Sequence, residues 1–363
     1  MNLNIIIDYL ILSIIASFAI NMILRNIAKT NKILVDIPDK SRKFHKRATP
    51  LTGGISIIIA ALISGKLYVD FNDLSGYVPL FTFNLMIAST LLVALFLIDD
   101  FKGLNAYLRL GIQTALSLFM IFSTDTYISN LGNILGFGDL ELGLFSIPFT
   151  VFCVVGIMNA FNMIDGINGL CSGCAMVALL FIGFSSGLIY DSMLVLLIGS
   201  MIGFLFFNLR VVGKRRAVFL GDHGSNMIGF WVAWSAVYAS QSTIYEIQPI
   251  TMIWFVAIPL LDCLGLIVSR RSRGISWTTP GRDHIHHKLM NRFSPEGTLL
   301  VILLICFVLG SFALMIERHY SAQISFSLFM IFAVIYYFFA YYYQNIRNKN
   351  GVKKCLISLK KFL

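Results

Sequence analysis

The sequence predicts an all-α polytopic integral membrane protein of about eleven transmembrane helices, with a periplasmic N-terminus and a cytoplasmic C-terminus. Three observations carry this. Hydrophobic residues make up 57% of the 363-residue chain and charged residues only 13%, with a mean hydropathy of +0.80. A soluble domain carries roughly a quarter charged residues, so burial in lipid has to explain the deficit. The apolar residues fall into eleven long runs, and the basic residues fall almost wholly between alternate runs.

A helix needs about 17 to 25 apolar residues to cross a bilayer. The candidate runs are 5–27, 53–67, 78–98, 107–122, 146–164, 171–189, 192–208, 225–240, 249–269, 299–316 and 323–345. The first lacks a basic leader and a small-residue cleavage site, so it reads as a retained helix and not a signal peptide. The second is short, and the sixth and seventh nearly touch. With the N-terminus outside, 26 of the 28 Lys and Arg residues lie on the inner side, against Lys66 and Arg318 on the outer. That asymmetry sets the orientation. The outer stretch 123–145 holds Gly132, Gly136 and Gly138 between β-prone segments, which suits a hairpin. Residues 1–345 then form one membrane domain. Residues 346–363 form a basic amphipathic tail, which either lies on an anionic leaflet or stays solvated. The six cysteines mostly sit in apolar runs and read as reduced packing residues. The net charge of +10 points to cytoplasmic loops and anionic lipid rather than to nucleic acid.

The polar chemistry is gathered in five cytoplasmic segments, 28–52, 99–106, 165–170, 209–224 and 270–298. In the first, Arg42, Lys43, His45, Lys46 and Arg47 precede Gly53 and Gly54 at a helix start. Basic groups beside a helix N-terminus suit a phosphate, although ordinary positive-inside charge explains them as well. In the second, Asp99 and Asp100 are adjacent at a membrane boundary. They repel each other unless a cation or a hydrogen-bond donor neutralises them. In the third, Asn159, Asn162 and Asp165 are spaced i, i+3 and i+6, each about 60° from the next on a helix, and so form a polar stripe. Polar groups at that depth are expensive and usually functional.

In the fourth segment, Asp222 sits between Gly221 and the small pair Gly224 and Ser225 at the start of a helix, a turn that suits an ion or a metal-bound phosphate. The fifth carries His284, His286 and His287 among six basic residues. Zinc would need a Cys or carboxylate to complete its shell, so a pyrophosphate or nucleotide is the better match. Asp262, about seven residues inside the ninth run, is a buried carboxylate that requires a partner. No Walker-type, Gly-x-Gly-x-x-Gly or Gly-x-Ser-x-Gly motif occurs. The one-sided distribution favours an enzyme over a lipid-linked sugar transporter, which would place charges near the midplane and serve both faces.

In order, RKFHKRATPLTGG, LIDD, NAFNMIDGINGL, FLGDHGSNMIGF and DHIHH resemble the motifs of the polyprenyl-phosphate N-acetylhexosamine-1-phosphate transferase family. The resemblance runs from about residue 33 to 292. The His-Ile-His-His form resembles the branch that joins N-acetylglucosamine 1-phosphate to undecaprenyl phosphate. The phospho-MurNAc-pentapeptide branch usually has three consecutive histidines.

The resemblance implies transfer from a UDP-N-acetylhexosamine to undecaprenyl phosphate with release of UMP, at the cytoplasmic face of a bacterial inner membrane, feeding O-antigen, lipopolysaccharide or other surface-polysaccharide assembly. It implies Asp222 as ligand of Mg²⁺ (or Mn²⁺). Asp99 and Asp100 would be at the attack site, and Asp165 and Asn162 would hold the nucleotide sugar or metal. Lys46 and Arg109 would hold phosphates, and His286 and His287 would contact the diphosphate. Asn159, Asn208 and His284 complete the implied substrate-binding set. Close relatives tend to have Asp where this chain has Gly103 and Asn168, so neither carboxylate can be essential here. His223 replaces a residue that is usually small. One in-line attack by the lipid phosphate is favoured, with Asp99 as covalent nucleophile the rival scheme; the choice among GlcNAc, GalNAc, FucNAc and QuiNAc and homodimer formation stay open.

Overall fold

The computed structural model describes residues 3–38, 48–71, 79–187, 192–242, 247–276, 281 and 283–342. The described part of each of the eleven apolar runs is essentially helical: α1 (Leu3–Asn31), α2 (Gly53–Phe71), α3 (Leu80–Lys102), α4 (Ala106–Thr124), α5 (Ser146–Ile164), α6 (Leu170–Ser186), α7 (Ser192–Asn208), α8 (Asp222–Gln241), α9 (Pro249–Phe255) with α10 (Ala257–Ser272), α12 (Pro295–His319) and α13 (Ala322–Tyr337). The short α11 (Ile285–Leu289) carries the histidine motif. Among the described residues six helices are long and apolar enough to cross a membrane, or seven if α9 and α10 are one bent span. That is fewer than the eleven apolar runs, because α2, α6 and α7 supply only short apolar stretches and α8 is too polar.

The ninth run is not one straight helix. Its two halves meet at 81°, with Val256 between them at φ −112°, ψ 15°. Pro259 lies in the first turn of α10. It has no N–H to donate to the Phe255 carbonyl, and its ring crowds that carbonyl, so the helix breaks just there. The outer stretch pairs as a small hairpin: Leu131 N–H donates to Leu140 O at 3.0 Å and Leu142 N–H to Ser129 O at 2.8 Å. None of the described cysteines is in a disulfide.

Helix α8 is the centre of the bundle. It packs against α2, α3, α5, α6 and α9, and Met227, Ile228, Phe230, Val232 and Trp234 are fully buried. Its neighbours bury it on nearly every side, polar residues such as His223, Ser225 and Asn226 included. Its N-terminus is set by a short backbone ladder from the α2 side. Strand β1 (Val35–Asp36) pairs antiparallel with β2 (Thr49–Pro50). Phe219 N–H then donates to Pro50 O (2.8 Å), and Gly53 and Gly54 N–H donate to Phe219 and Leu220 O (both 3.0 Å). The starts of α2 and α8 therefore touch backbone to backbone. A Cβ on Gly54 would lie 2.4 Å from Gly224 Cα and 2.6 Å from His223 Cδ2.

Gly54→Val should therefore destabilise the protein by about 1–3 kcal/mol, the usual range for overpacking. Gly111→Ala, where an added Cβ meets nothing within 4 Å, should be neutral or slightly stabilising. Thermal unfolding in detergent checks both, and equal melting of the two variants would contradict the close approach.

Candidate active site

The C-terminal ends of α3 and α5 and the N-terminal ends of α4 and α8 bring four aspartates to one place. Asp99 is buried at the last turn of α3. Its Oδ1 accepts the Leu104 N–H at 2.6 Å, which ties the carboxylate to the turn leading into α4. Its Oδ2 lies 2.8 Å from Arg109 Nε. That N–H points instead at Leu104 O, 3.2 Å away, so Asp99 and Arg109 form an ion pair and not an aligned hydrogen bond. Arg109 Nη1 reaches Asp222 Oδ2 at 3.5 Å. Asn105, whose side chain caps α4 by accepting the Leu108 N–H, aims Arg109 at both carboxylates from the first turn of that helix.

Asp100 faces the other way and is half-buried, its side chain largely covered. Its Oδ2 accepts from His223 Nδ1, and its Oδ1 lies 3.4 Å from the Asp222 main-chain N. Asp165 caps the end of α5. It is half-buried by exposed area, yet its carboxyl is enclosed enough that desolvation first, and the charge of Asp222 second, push it up to about 7. Among the described residues Arg109 is the one cation in ion-pair contact with this group.

Below the carboxylates runs a buried chain of amides. Asn226 donates to Asp222 O (2.8 Å) and accepts from Gln113 Nε2 (2.7 Å), and Asn159 donates to Gln113 Oε1 (2.9 Å). Asn162 donates to Ser225 Oγ at 2.9 Å. The predicted stripe on α5 therefore meets α4 and α8 through Gln113, Ser225 and Asn226, of which the sequence marked Ser225 only as a small residue beside Asp222 and left Gln113 and Asn226 unmarked. Their signal was present, since a Gln inside the fourth apolar run needs a partner in lipid.

The histidine motif docks on the same end through Asp262. That carboxylate accepts from His284 Nδ1 and from the Ile285 N–H, both at 2.8 Å, and Tyr341 Oη donates to it. His286 is buried against the loop after α5, where a Cβ on Gly166 would lie 2.0 Å from its Nε2. Neither of its ring nitrogens has a partner. Burial, then His287 and His284, lower its pKa to about 3, so the ring is neutral. His287 packs 4.2 Å from His286 between ring centroids. Lys288, its pKa lowered to about 8 by burial, donates to Ala340 O at 2.7 Å.

Two predicted residues stand apart. Asn208 has both ends of its amide on backbone, accepting from Gly169 N–H (2.6 Å) and donating to Val218 O (2.9 Å), so it joins the 165–170 loop to the 209–221 segment. Lys46 lies outside the described residues. No three His, Cys, Asp or Glu side chains among the described residues converge as a ready-made metal cage. Mg²⁺, however, is commonly held by one or two carboxylates together with substrate phosphates. Asp222 and Asp165, hard oxygen donors that repel each other, fit that pattern.

Asp262→Ala removes the acceptor of His284 Nδ1, of the Ile285 N–H and, at 3.4 Å, of Tyr336 Oη, while Tyr341 Oη keeps the Asp262 main-chain carbonyl. Losing one side of a buried charged network costs about 3–5 kcal/mol. Amide hydrogen exchange across 284–289 should accelerate far more than exchange in α8; uniform exchange would show that the motif docks without Asp262.

The profile of glycosyl transferase family 4 matches residues 82–240. An undecaprenyl-phosphate alpha-N-acetylglucosaminyl 1-phosphate transferase of Escherichia coli O157:H7 is 33% identical over 289 residues, covering 78% of this chain and 77% of the relative. The protein of the same description from Escherichia coli K12 is 32% identical over 314 residues, 85% and 83% of the two chains. That from Haemophilus influenzae is 32% identical over 317 residues, 85% and 86%.

Proposed function

The chain belongs to glycosyl transferase family 4 and is an enzyme of the transferase class, and on that premise we propose that it transfers N-acetylglucosamine 1-phosphate from UDP-N-acetylglucosamine to undecaprenyl phosphate. The observation that carries this reading is the cluster of Asp99, Asp100, Asp165 and Asp222 with Arg109 at one end of the bundle, beside the buried, unpartnered His286. The donor sugar and acceptor lipid come from what the relatives are named for. The proposed setting is a bacterial inner membrane, crossed eleven times with the site in the cytoplasm, at the first membrane step of surface-polysaccharide assembly such as O-antigen. The 26-to-2 division of basic residues supports the orientation.

In the proposed reaction an oxygen of the lipid phosphate attacks the β-phosphorus of the UDP-sugar. The bond from that phosphorus to the bridging oxygen breaks, and UMP leaves with the oxygen. A phosphate monoester with second pKa near 6 is largely ionised at pH 7, so it needs little help from a base. Asp222 and Asp165 would hold Mg²⁺, which would neutralise charge on the donor diphosphate. Arg109 shields Asp222 from Asp99 and offers a cation to the incoming phosphate. His286 and His287 would meet the diphosphate from the fifth segment, and the motif resemblance gives Lys46 of the first a phosphate-binding role. Asp99 suits positioning better than covalent attack, because one oxygen is held by Leu104 N–H and the other faces Arg109.

Solubilised protein, with no sealed compartment, should release UMP when given UDP-N-acetylglucosamine, undecaprenyl phosphate and Mg²⁺. Asp222→Asn should lower kcat by about 100-fold or more, as expected for several kcal/mol of lost charge stabilisation. No UMP with any UDP-N-acetylhexosamine would sink the reading and favour a transporter. Without the lipid, direct attack predicts neither a stoichiometric burst of UMP nor exchange of labelled UMP into UDP-sugar. Either signal would establish a covalent intermediate.

A further inference from the structure

His223 takes no part in the chemistry outlined above, yet it is the most enclosed ionisable side chain at the site. It is fully buried in the first turn of α8. Its ring fills the slot where α2 and α8 meet: a Cβ on Gly221 would lie 2.4 Å from ring Cε1, and one on Gly54 2.6 Å from Cδ2. Nε2 is buried with no partner, while Nδ1 bonds Asp100 Oδ2. A carboxylate can only accept, so the proton of that bond is on Nδ1.

Asp100 otherwise has only the 3.4 Å approach of its Oδ1 to the Asp222 main-chain N. The side chain on α3 thus reaches across to the N-terminal turn of α8, and the histidine one residue after Asp222 fixes where it reaches. Losing the ring would leave the largely covered Asp100 side chain without its main partner, which costs more than the bond itself.

We propose that His223 is a positioning residue for the reaction: its Nδ1–H holds the Asp100 carboxylate, and through Asp100 it sets the first turn of α8, and with it the presentation of the Asp222 carboxylate. This rests on the transferase reading above. The effect falls on the metal-dependent step, because Asp100 and Asp222 move together, and leaves recognition of the sugar by more distant groups alone.

The test compares His223→Asn, His223→Leu and His223→Ala with the native enzyme in UMP release, at varied Mg²⁺ and varied UDP-sugar. Asn keeps an N–H donor near the position of Nδ1, Leu keeps bulk without a donor, and Ala keeps neither. Asn should retain kcat within about 3-fold. Leu and Ala should lose roughly 10- to 100-fold, the range for a hydrogen bond to a charged group, and should need more Mg²⁺ for half-saturation, with the KM for UDP-sugar changed less than about 2-fold. A residue that merely filled space would give the reverse order, with Leu near native and Asn impaired, and that order overturns the proposal. So does a set of variants that all match the native kcat. Each variant is required to melt cooperatively, and Ala carries the comparison if Leu does not fold. An inactive native enzyme overturns the transferase reading, and this inference with it.

Discussion

Four carboxylates share one end of a helical bundle with one arginine, and much of the local structure answers that electrostatic constraint. Unlike charges attract strongly, and like charges repel strongly, where water is scarce. Asp99 is kept by the turn after α3 and by Arg109, Asp100 by His223, and Asp222 by Arg109 at a longer reach. Asp165 has no such counter-charge among its described contacts, and its raised pKa reflects burial first and the nearby charge of Asp222 second. A surplus of negative charge held by fixed backbone is what a hard divalent cation and a phosphate-bearing substrate together can relieve.

Rigidity of the carboxylates comes from groups that carry no charge. The backbone contact of Gly54 with Gly224, the ladder from Pro50 to Leu220, and the amide chain Asn226–Gln113–Asn159 lock α2, α4, α5 and α8 at the end that carries the aspartates. Asp262 does the same for the histidine motif, spending a buried charge on His284, Ile285 and Tyr341. Polar groups inside an apolar bundle have few alternatives to each other, which makes such crosslinks specific.

The helical runs were legible because lipid demands length and apolarity, and the described part of each run is essentially helical. The number of crossings was less so: α8 is too polar to pass as a lipid-facing span yet is buried by its neighbours, and the break before α10 is a one-residue event at Pro259 that a long hydropathy window averages away. The aspartates stood out because charge is rare in this chain. Gln113, Ser225 and Asn226 did not, since a single amide or hydroxyl in a run acquires meaning only from the helix opposite. Asn208 was visible as a polar residue at a helix end, but spacing alone does not say that both ends of its amide bind backbone. Asp262 was seen to need a partner, and only the fold supplies His284, which is 22 positions away in sequence.

The central claim is that the surplus charge around Asp222 is a divalent-cation site. The most direct measurement is the melting temperature of the native protein and of Asp222→Asn as Mg²⁺ is raised, with no substrate present. Binding to the folded state alone raises stability by RT ln(1 + [L]/Kd). The account predicts a saturable rise for the native protein and little or none for Asp222→Asn, which should start from a higher baseline because one repelling charge has gone. Equal responses of the two proteins to Mg²⁺ would contradict it.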